Sequence, residues 1–381
     1  MENPFVYGEV VPAAAFVDRV DELQRLSTDL ESGQKVFLIS PRRYGKSSLV
    51  SRALASLEKR GVLAVQLTVS SYSSYVAFLE GYARAVLAAT TRWERAVSWI
   101  REALGAARPE VRLERDGPAG AAFAVSFPAA RTEREVSRLA AEVYQLPARL
   151  ADVRRRRVAV SLDEFQAVAA FNGGSVEEAL RAAVQHQRQV GYVFAGSEPT
   201  LMERMLGPKR PFYKAGPVMR LEKIPPDVFA RFIESRFTRS GIRAEPGFAA
   251  AVLELAGHLP YDVQRLAHEV WDDARAGGWR KVGLDHLHST LRRLLTEQAI
   301  VFESTWERLT LSQRAVLRAV VIEDGRELLS ADVRHRHRLG GPSTVQAALA
   351  ALGRQDIVTR DGSRYVVVDS LLREWIVRRT F

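Results

Sequence analysis

The chain has 381 residues, 47% of them hydrophobic and 26% charged, the balance of an ordinary globular protein long enough for two or three domains. It contains no cysteine, which excludes disulfides, thiolate nucleophiles and cysteine metal sites. The net charge of +10 fits a nucleic-acid partner or another anionic surface. The excess of arginine over lysine, with abundant alanine, fits a genome-wide coding bias equally well.

The opening "MENPFVYGEV" has neither the basic region nor the apolar run of a secretory signal. Runs such as "VAVSL" are far short of the roughly 20 residues that a bilayer span needs. The expectation is a cytoplasmic protein with no membrane partner.

Up to about Leu221, short β-rich apolar runs alternate with helical stretches, as in parallel α/β proteins. The runs are "KVFLIS", "GVLAVQLTV", "RRVAVSL", "GYVFAGS" and "PVMRLEKI", predicting five buried strands in a doubly wound sheet. An insert of about 70–157 separates the second run from the third. Its first half, from "YVAFLEGYARAVLAA" to "WIREALGAA", reads as helix, and "PEVRLERDGPAGAAFAVSFP" reads as a hairpin turned around Asp-Gly-Pro. A helix, "REVSRLAAEVYQLPARLADV", then leads back to the sheet.

A helical zone begins at "IPPDVFARFIESRF" and continues through "PGFAAAVLELAGHLPYDVQRLAHEVWDDARAGG" and "LDHLHSTLRRLLTEQ". After about Glu303 the pattern changes to three short helices, "TLSQRAVLRAVVIED", "SADVRHRHRL" and "GPSTVQAALAALGRQDIV". A β-wing, "TRDGSRYVVVDS", turned at Asp361-Gly362, and a closing helix, "LLREWIVRR", complete the outline of a winged helix. The expected domains are a P-loop core at 1–222, a helical lid at 223–303 and a winged helix at 304–381.

The chemistry is concentrated in "VFLISPRRYGKSSLV". It ends as the phosphate-loop pattern G-x-x-x-x-G-K-[ST] requires, but has Ser40 at the first glycine. A short G-K-S is common by chance, and its context is what gives it weight. The strand "KVFLI" precedes it and the helix "SSLVSRALASLEKRG" follows, so that loop amides and a helix N-terminus converge on one anion. Serine is tolerated at position 40 provided that its φ stays negative. The expected nucleotide cradle is Ser40, Pro41, Arg42, Arg43, Tyr44 and Gly45, followed by Lys46, Ser47 and Ser48. In this arrangement Lys46 reaches the β- and γ-phosphates of ATP and the Ser47 hydroxyl ligates Mg²⁺.

The buried run "RRVAVSLDE" supplies the second requirement. Asp163 at its tip is placed to hold Mg²⁺ with Ser47, and Glu164 to act as general base on the attacking water. Ser197 closes "GYVFAGS", either as a γ-phosphate sensor or as a simple cap for the helix "EPTLMERML".

The order and spacing of "NPFVYGEVV…FVDRVDEL", "SPRRYGKSSL", "SLDEFQ", "FAGSEPTLMERM" and "GHLPYDVQRLAHEV" resemble the archaeal-type AAA+/STAND ATPases, P-loop signalling ATPases related to the origin-recognition branch. The resemblance covers the whole chain. It implies an ASCE-type sheet, a helical lid and a C-terminal winged helix. It sets Phe16, Asp18 and Arg19 beside the adenine, and makes Gly257 to Pro260 the lid element packing on the base, spaced Gly-His-Leu-Pro here rather than Gly-x-Pro. Arg265 stands where many such lids carry a sensor arginine. Lys209, Arg210 and Lys214 lie where relatives place an arginine finger, with Arg210 the best single candidate, which implies a homo-oligomer.

For the winged helix, the base-reading candidates are Ser343, Thr344 and Gln346, and the phosphate contacts Arg334, Arg336, Arg338, Arg360 and Arg364. Residues 306–381 hold thirteen arginines against nine acids, a modest excess. DNA and a regulatory protein, with Trp375 as a docking residue, both stay open as partners. The seven histidines show no metal-ligand spacing. The functional expectation is a Mg²⁺-dependent ATPase that works as a conformational switch.

Overall fold

The computed structural model describes residues 2–9, 11–12, 15–89, 99, 104, 109–117, 120–128, 130, 132–171 and 175–380. In chain order the first strands are β1 (Lys35–Ile39), β2 (Leu63–Thr68), β3 (Glu110–Gly117), β4 (Gly120–Ser126), β5 (Val158–Asp163), β6 (Val190–Gly196) and β7 (Val218–Arg220). Five of them form one parallel sheet in the order β2–β5–β6–β1–β7, and these are the five runs expected from the sequence. β5 and β6 are buried along their whole length, as continuous apolar strands covered on both faces must be. Because β6 lies between β1 and β5, the carboxyl ends of these three strands stand side by side.

The packing behind this edge is aromatic. Phe37, Phe165, Phe194 and Phe212 are all buried, with Phe165 4.7 Å and Phe37 5.0 Å from the Phe194 ring centre. Glycine is required at 191, where an added Cβ would lie 2.1 Å from the Leu30 carbonyl oxygen.

In the insert, Tyr75–Ala88 is helical and β3 pairs with β4 as the expected antiparallel hairpin. Most of 90–108, expected to be helical, lies outside the described residues. The single return helix expected from the sequence is two helices, Glu133–Val143 and Leu146–Arg154. The break has a local cause. Pro147 lacks an N–H and is tolerated only in a helix's first turn, so a new helix starts there.

The chain divides into two compact units, Arg19–Ser40 with Lys46–Glu222, and Met1–Asp18 with Pro41–Gly45 and Lys223–Phe381. The second is mainly helical. Its helices are Pro226–Arg239, Phe248–Leu255, Pro260–Ala276, Leu284–Glu297, Ala299–Glu307, Leu311–Ile322, Ala331–Arg336, Pro342–Arg354 and Ser370–Thr380. Two-residue strands β8 (Arg243–Ala244) and β9 (Lys281–Val282) pair in parallel, and β10 (Val358–Asp361) and β11 (Arg364–Val367) form the wing. Asp361 pairs with Arg364, so the wing turns on Gly362-Ser363, one residue later than expected, with Gly362 at φ 62°. Thr310 caps its helix reciprocally with Gln313, and Ser330 caps the next.

One continuous apolar core runs from Phe229 through Trp271 and Trp306 to Ile376. The N-terminal segment joins it through Phe5, which is 1% exposed and 5.0 Å from the Phe237 ring. Asn3 donates to the His268 carbonyl (3.1 Å), Tyr7 to Glu269 (2.8 Å) and Gln264 to the Ala15 carbonyl (2.9 Å), which fixes the segment to helix Pro260–Ala276. Among the described residues no helix is long and apolar enough to cross a membrane.

Gly191→Ala is expected to destabilise the sheet unit by about 1–3 kcal/mol, because neither the Leu30 backbone nor a central strand can move away. A urea titration that leaves the midpoint unchanged contradicts this packing.

Candidate functional site: a phosphate loop and a strand-end carboxylate

Ser40 leaves β1 buried and without a positive φ, the condition under which serine can replace glycine there. Its N–H donates to the Gly196 carbonyl at 3.2 Å. Gly45, at φ 84°, makes the left-handed turn that only glycine adopts freely. The chain then enters helix Lys46–Lys59.

The first two residues of that helix reach one carboxylate. Asp163, the last residue of β5 and 6% exposed, accepts from the Lys46 ammonium at one oxygen. Its other oxygen accepts from the Ser47 hydroxyl at 2.7 Å. The Glu164 N–H donates to the oxygen that Lys46 bonds, at 2.9 Å. Ser47 Oγ and Asp163 Oδ2 thus stand close to the ~3 Å separation of neighbouring oxygens on an octahedral Mg²⁺ with ~2.1 Å bonds. A hydroxyl and a carboxylate are hard oxygen donors, a set that suits this ion. Among the described residues no cluster of three or more His, Cys, Asp or Glu is arranged to hold a metal.

Glu164 follows in a left-handed conformation, φ 52°, uncommon for a residue with a Cβ. Phe165, sunk among the aromatic rings, anchors the turn from below. The Glu164 carboxylate accepts from the Ser197 hydroxyl at 2.5 Å and from the Gln166 amide at 2.6 Å. Its other oxygen lies 3.6 Å from Lys46 Nζ.

The residues Pro41–Gly45 belong to the helical unit, where arginine makes the contacts. Arg43, at φ 70°, bonds both oxygens of Asp262 (3.0 and 3.2 Å), the Val368 carbonyl (3.1 Å) and Asp369 (3.2 Å). Its guanidinium lies 5.0 Å from the centre of the Tyr261 ring. Asp369 also caps helix Ser370–Thr380 through the Leu371 and Leu372 amides. Arg42 pairs with Asp356 at 2.6 Å. Burial opposes the Arg43 cation, but the two carboxylates outweigh it and hold the guanidinium charged. Asp262 lies deeper. Its desolvation exceeds what Arg43 returns, Asp369 adds repulsion, and its carboxyl is pushed up to about 7.

The remaining expected residues have varied surroundings. Phe16 is half-buried, Asp18 is exposed at φ 48°, and Arg19 is buried with hydrogen bonds to Glu22 (2.9 Å) and the Glu222 carbonyl (2.5 Å). Pro260 opens its helix after left-handed turns at Gly257 and His258, so the extra residue of Gly-His-Leu-Pro is accommodated before the helix begins. Arg210 is 41% exposed and is held at 2.6 Å by Glu177 of the same chain. In the wing module Arg336 pairs with Glu323 and Asp332, Arg364 with Asp324, and Arg360 bonds the Gly362 carbonyl. Trp375 packs against Phe302 and Trp306. Sequence reasoning missed Gln166, Asp262 and Asp369. The only sequence signal for Gln166 was its place two residues after Glu164.

A family described as a probable winged helix domain matches residues 300–378. No curated protein matches the chain. Among solved structures, the Walker-type ATPase PABY2304 of Pyrococcus abyssi is similar at 15% identity and a TM-score of 0.62, over 97% of this chain and 99% of that one. The Aeropyrum pernix ORC1 protein, solved in complex with DNA, is similar at 14% identity and 0.53, over 98% and 97%. Drosophila ORC bound to DNA follows at 12% and 0.50, over 98% and 89%. The fold is shared with these Walker-type ATPase and ORC structures, a parallel sheet and helices ending in a winged helix, as expected from the motifs.

The Asp262 carboxyl gives a pH test. Between its ordinary value of 3.8 and about 7 the folded chain retains a proton that the unfolded chain has released. Its contribution is therefore most favourable below that window and is lost as pH rises through it. The melting temperature of Asp262→Asn should rise relative to wild type progressively across the same window and hold its lead above it. A difference that does not change with pH contradicts the buried carboxyl.

Proposed function

We propose that this chain is an ATP-binding, Mg²⁺-dependent ATPase of the AAA+/STAND type, acting in the cytoplasm as a nucleotide-driven conformational switch. One observation carries the reading: Lys46 and Ser47 of the phosphate loop and Asp163 at the tip of β5 meet at one point. The domains on this reading are the core at 1–222, the lid at 223–303 and the winged helix at 304–381.

The loop from Ser40 to Gly45, with Lys46, Ser47 and Ser48, binds the phosphates of ATP, and Phe16, Asp18, Arg19 and Pro260 enclose the base. Ser47 and Asp163 would hold Mg²⁺, which would neutralise charge developing on the phosphates. Lys46 also pairs with Asp163 and keeps that buried carboxylate compensated. Glu164 takes a proton from the attacking water, and Ser197 exchanges its bond to Glu164 for one to the γ-phosphate or the water. Arg210 is the candidate to act across the interface of a homo-oligomer, once released from Glu177.

The winged helix is read as a DNA contact, made mostly to the phosphate backbone. The DNA-bound ORC structures support that direction. A specific observation favours a second reading, in which the module contacts protein and gates the ATPase. Several of its arginines are paired internally, and its Asp356 and Asp361 pair with Arg42 and Lys223.

Calorimetry should show ATP binding by wild type and none by Lys46→Ala. Glu164→Gln should bind ATP with turnover reduced roughly a hundredfold or more. Wild-type binding by Lys46→Ala would remove the reading. Binding of duplex DNA that falls steeply with salt supports the DNA contact, whereas no binding at low salt leaves the gating role.

A further inference from the structure

We infer that Gln166 is a positioning residue for the hydrolytic step, holding the Glu164 carboxylate and the Ser197 hydroxyl at a fixed separation. The inference rests on the reading of Glu164 as general base. Gln166 is 5% exposed, and its amide nitrogen lies 2.6 Å from Glu164 Oε2, 3.3 Å from Ser197 Oγ and 3.5 Å from Glu198 Oε1. Its amide oxygen is buried with no hydrogen-bond partner among the described residues. An orphaned buried carbonyl is destabilising, and an apolar side chain of the same length would avoid it. Glutamine is therefore not the residue that packing alone selects here; what it offers is the donor on Glu164. A Cβ on Gly196 would lie 2.4 Å from Met202 Cγ and 2.9 Å from that amide oxygen, so the glycine leaves room for both side chains.

The arrangement also distinguishes the two carboxylate oxygens. Oε2 is occupied by the Ser197 and Gln166 donors, while Oε1 lies 3.6 Å from Lys46 Nζ. Oε1 is thus the oxygen available to take the water proton. When Ser197 turns to the γ-phosphate, the Gln166 donor remains on Oε2 and keeps the carboxylate from rotating. Gln166 does not touch the reacting atoms in this scheme. It acts through Glu164.

The test compares steady-state ATP hydrolysis by the full-length wild type, Gln166→Met and Glu164→Gln, with thermal melts of each. Methionine keeps the length and apolar packing and removes only the amide. The expected result is a kcat for Gln166→Met lower by roughly ten- to a hundredfold, the cost of a displaced catalytic group, with the KM for ATP changed less than about twofold. Its melting temperature should lie within ~3 °C of wild type or above it. A full-rate Gln166→Met beside an inactive Glu164→Gln overturns the positioning role and leaves the ATPase reading standing. A raised KM without loss of kcat, or a larger fall in melting temperature, marks Gln166 as a binding or packing residue and also overturns it. Wild-type turnover by Glu164→Gln overturns both readings together.

Discussion

A buried carboxylate at the end of a central strand must be compensated, and Asp163 is compensated by the helix Lys46–Lys59 that follows β1. With 6% of its surface exposed, it relies on the Lys46 ammonium, the Ser47 hydroxyl and the Glu164 amide for the solvation that water no longer gives. Lys46 is equally buried, so each charge makes the other tolerable. This mutual dependence ties the helix after β1 to the tip of β5 across the intervening β6.

Local strain and unsatisfied polar atoms collect at the same edge. Glu164 is left-handed despite its Cβ. Three of the buried side-chain oxygens without a partner among the described residues, those of Ser40, Ser161 and Gln166, belong to β1, β5 or the turns that follow them. Such features lower stability and persist where the surrounding structure over-determines them. Here the aromatic layer under Phe165 does so, holding the turn rigid from below while its polar groups face the site.

The helical unit organises its charge differently. Arg43 gathers the Asp262 carboxylate of helix Pro260–Ala276, a helix-capping aspartate and a backbone carbonyl around one guanidinium, a set of partners that the fork of arginine can satisfy and a lysine cannot. The net charge of +10 therefore overstates the free positive surface of the winged helix, where Arg336 and Arg364 are held by nearby acids. Exposed pairs of this kind are weak and exchange readily for phosphate oxygens.

Much of this protein is legible in its sequence because the governing signals are local. Apolar runs of strand length, the turn glycine at 45, the reciprocal cap at Thr310 and the proline starts of several helices act within a few residues. The five strands, the loop between β1 and its helix, the Asp163-Glu164 strand tip and the winged helix were all readable on that basis. The split of the return helix at Pro147 and the wing turn at Gly362 were missed by small local margins. Tertiary structure alone decided the pairings made across long stretches of chain: Arg43 with Asp262 and Asp369, Arg210 with Glu177, and Ser197 with Glu164 and Gln166. These depend on the strand order β2–β5–β6–β1–β7 and on helix packing. A side chain's type limits what it can bond, but only the completed fold brings a particular partner within hydrogen-bonding distance.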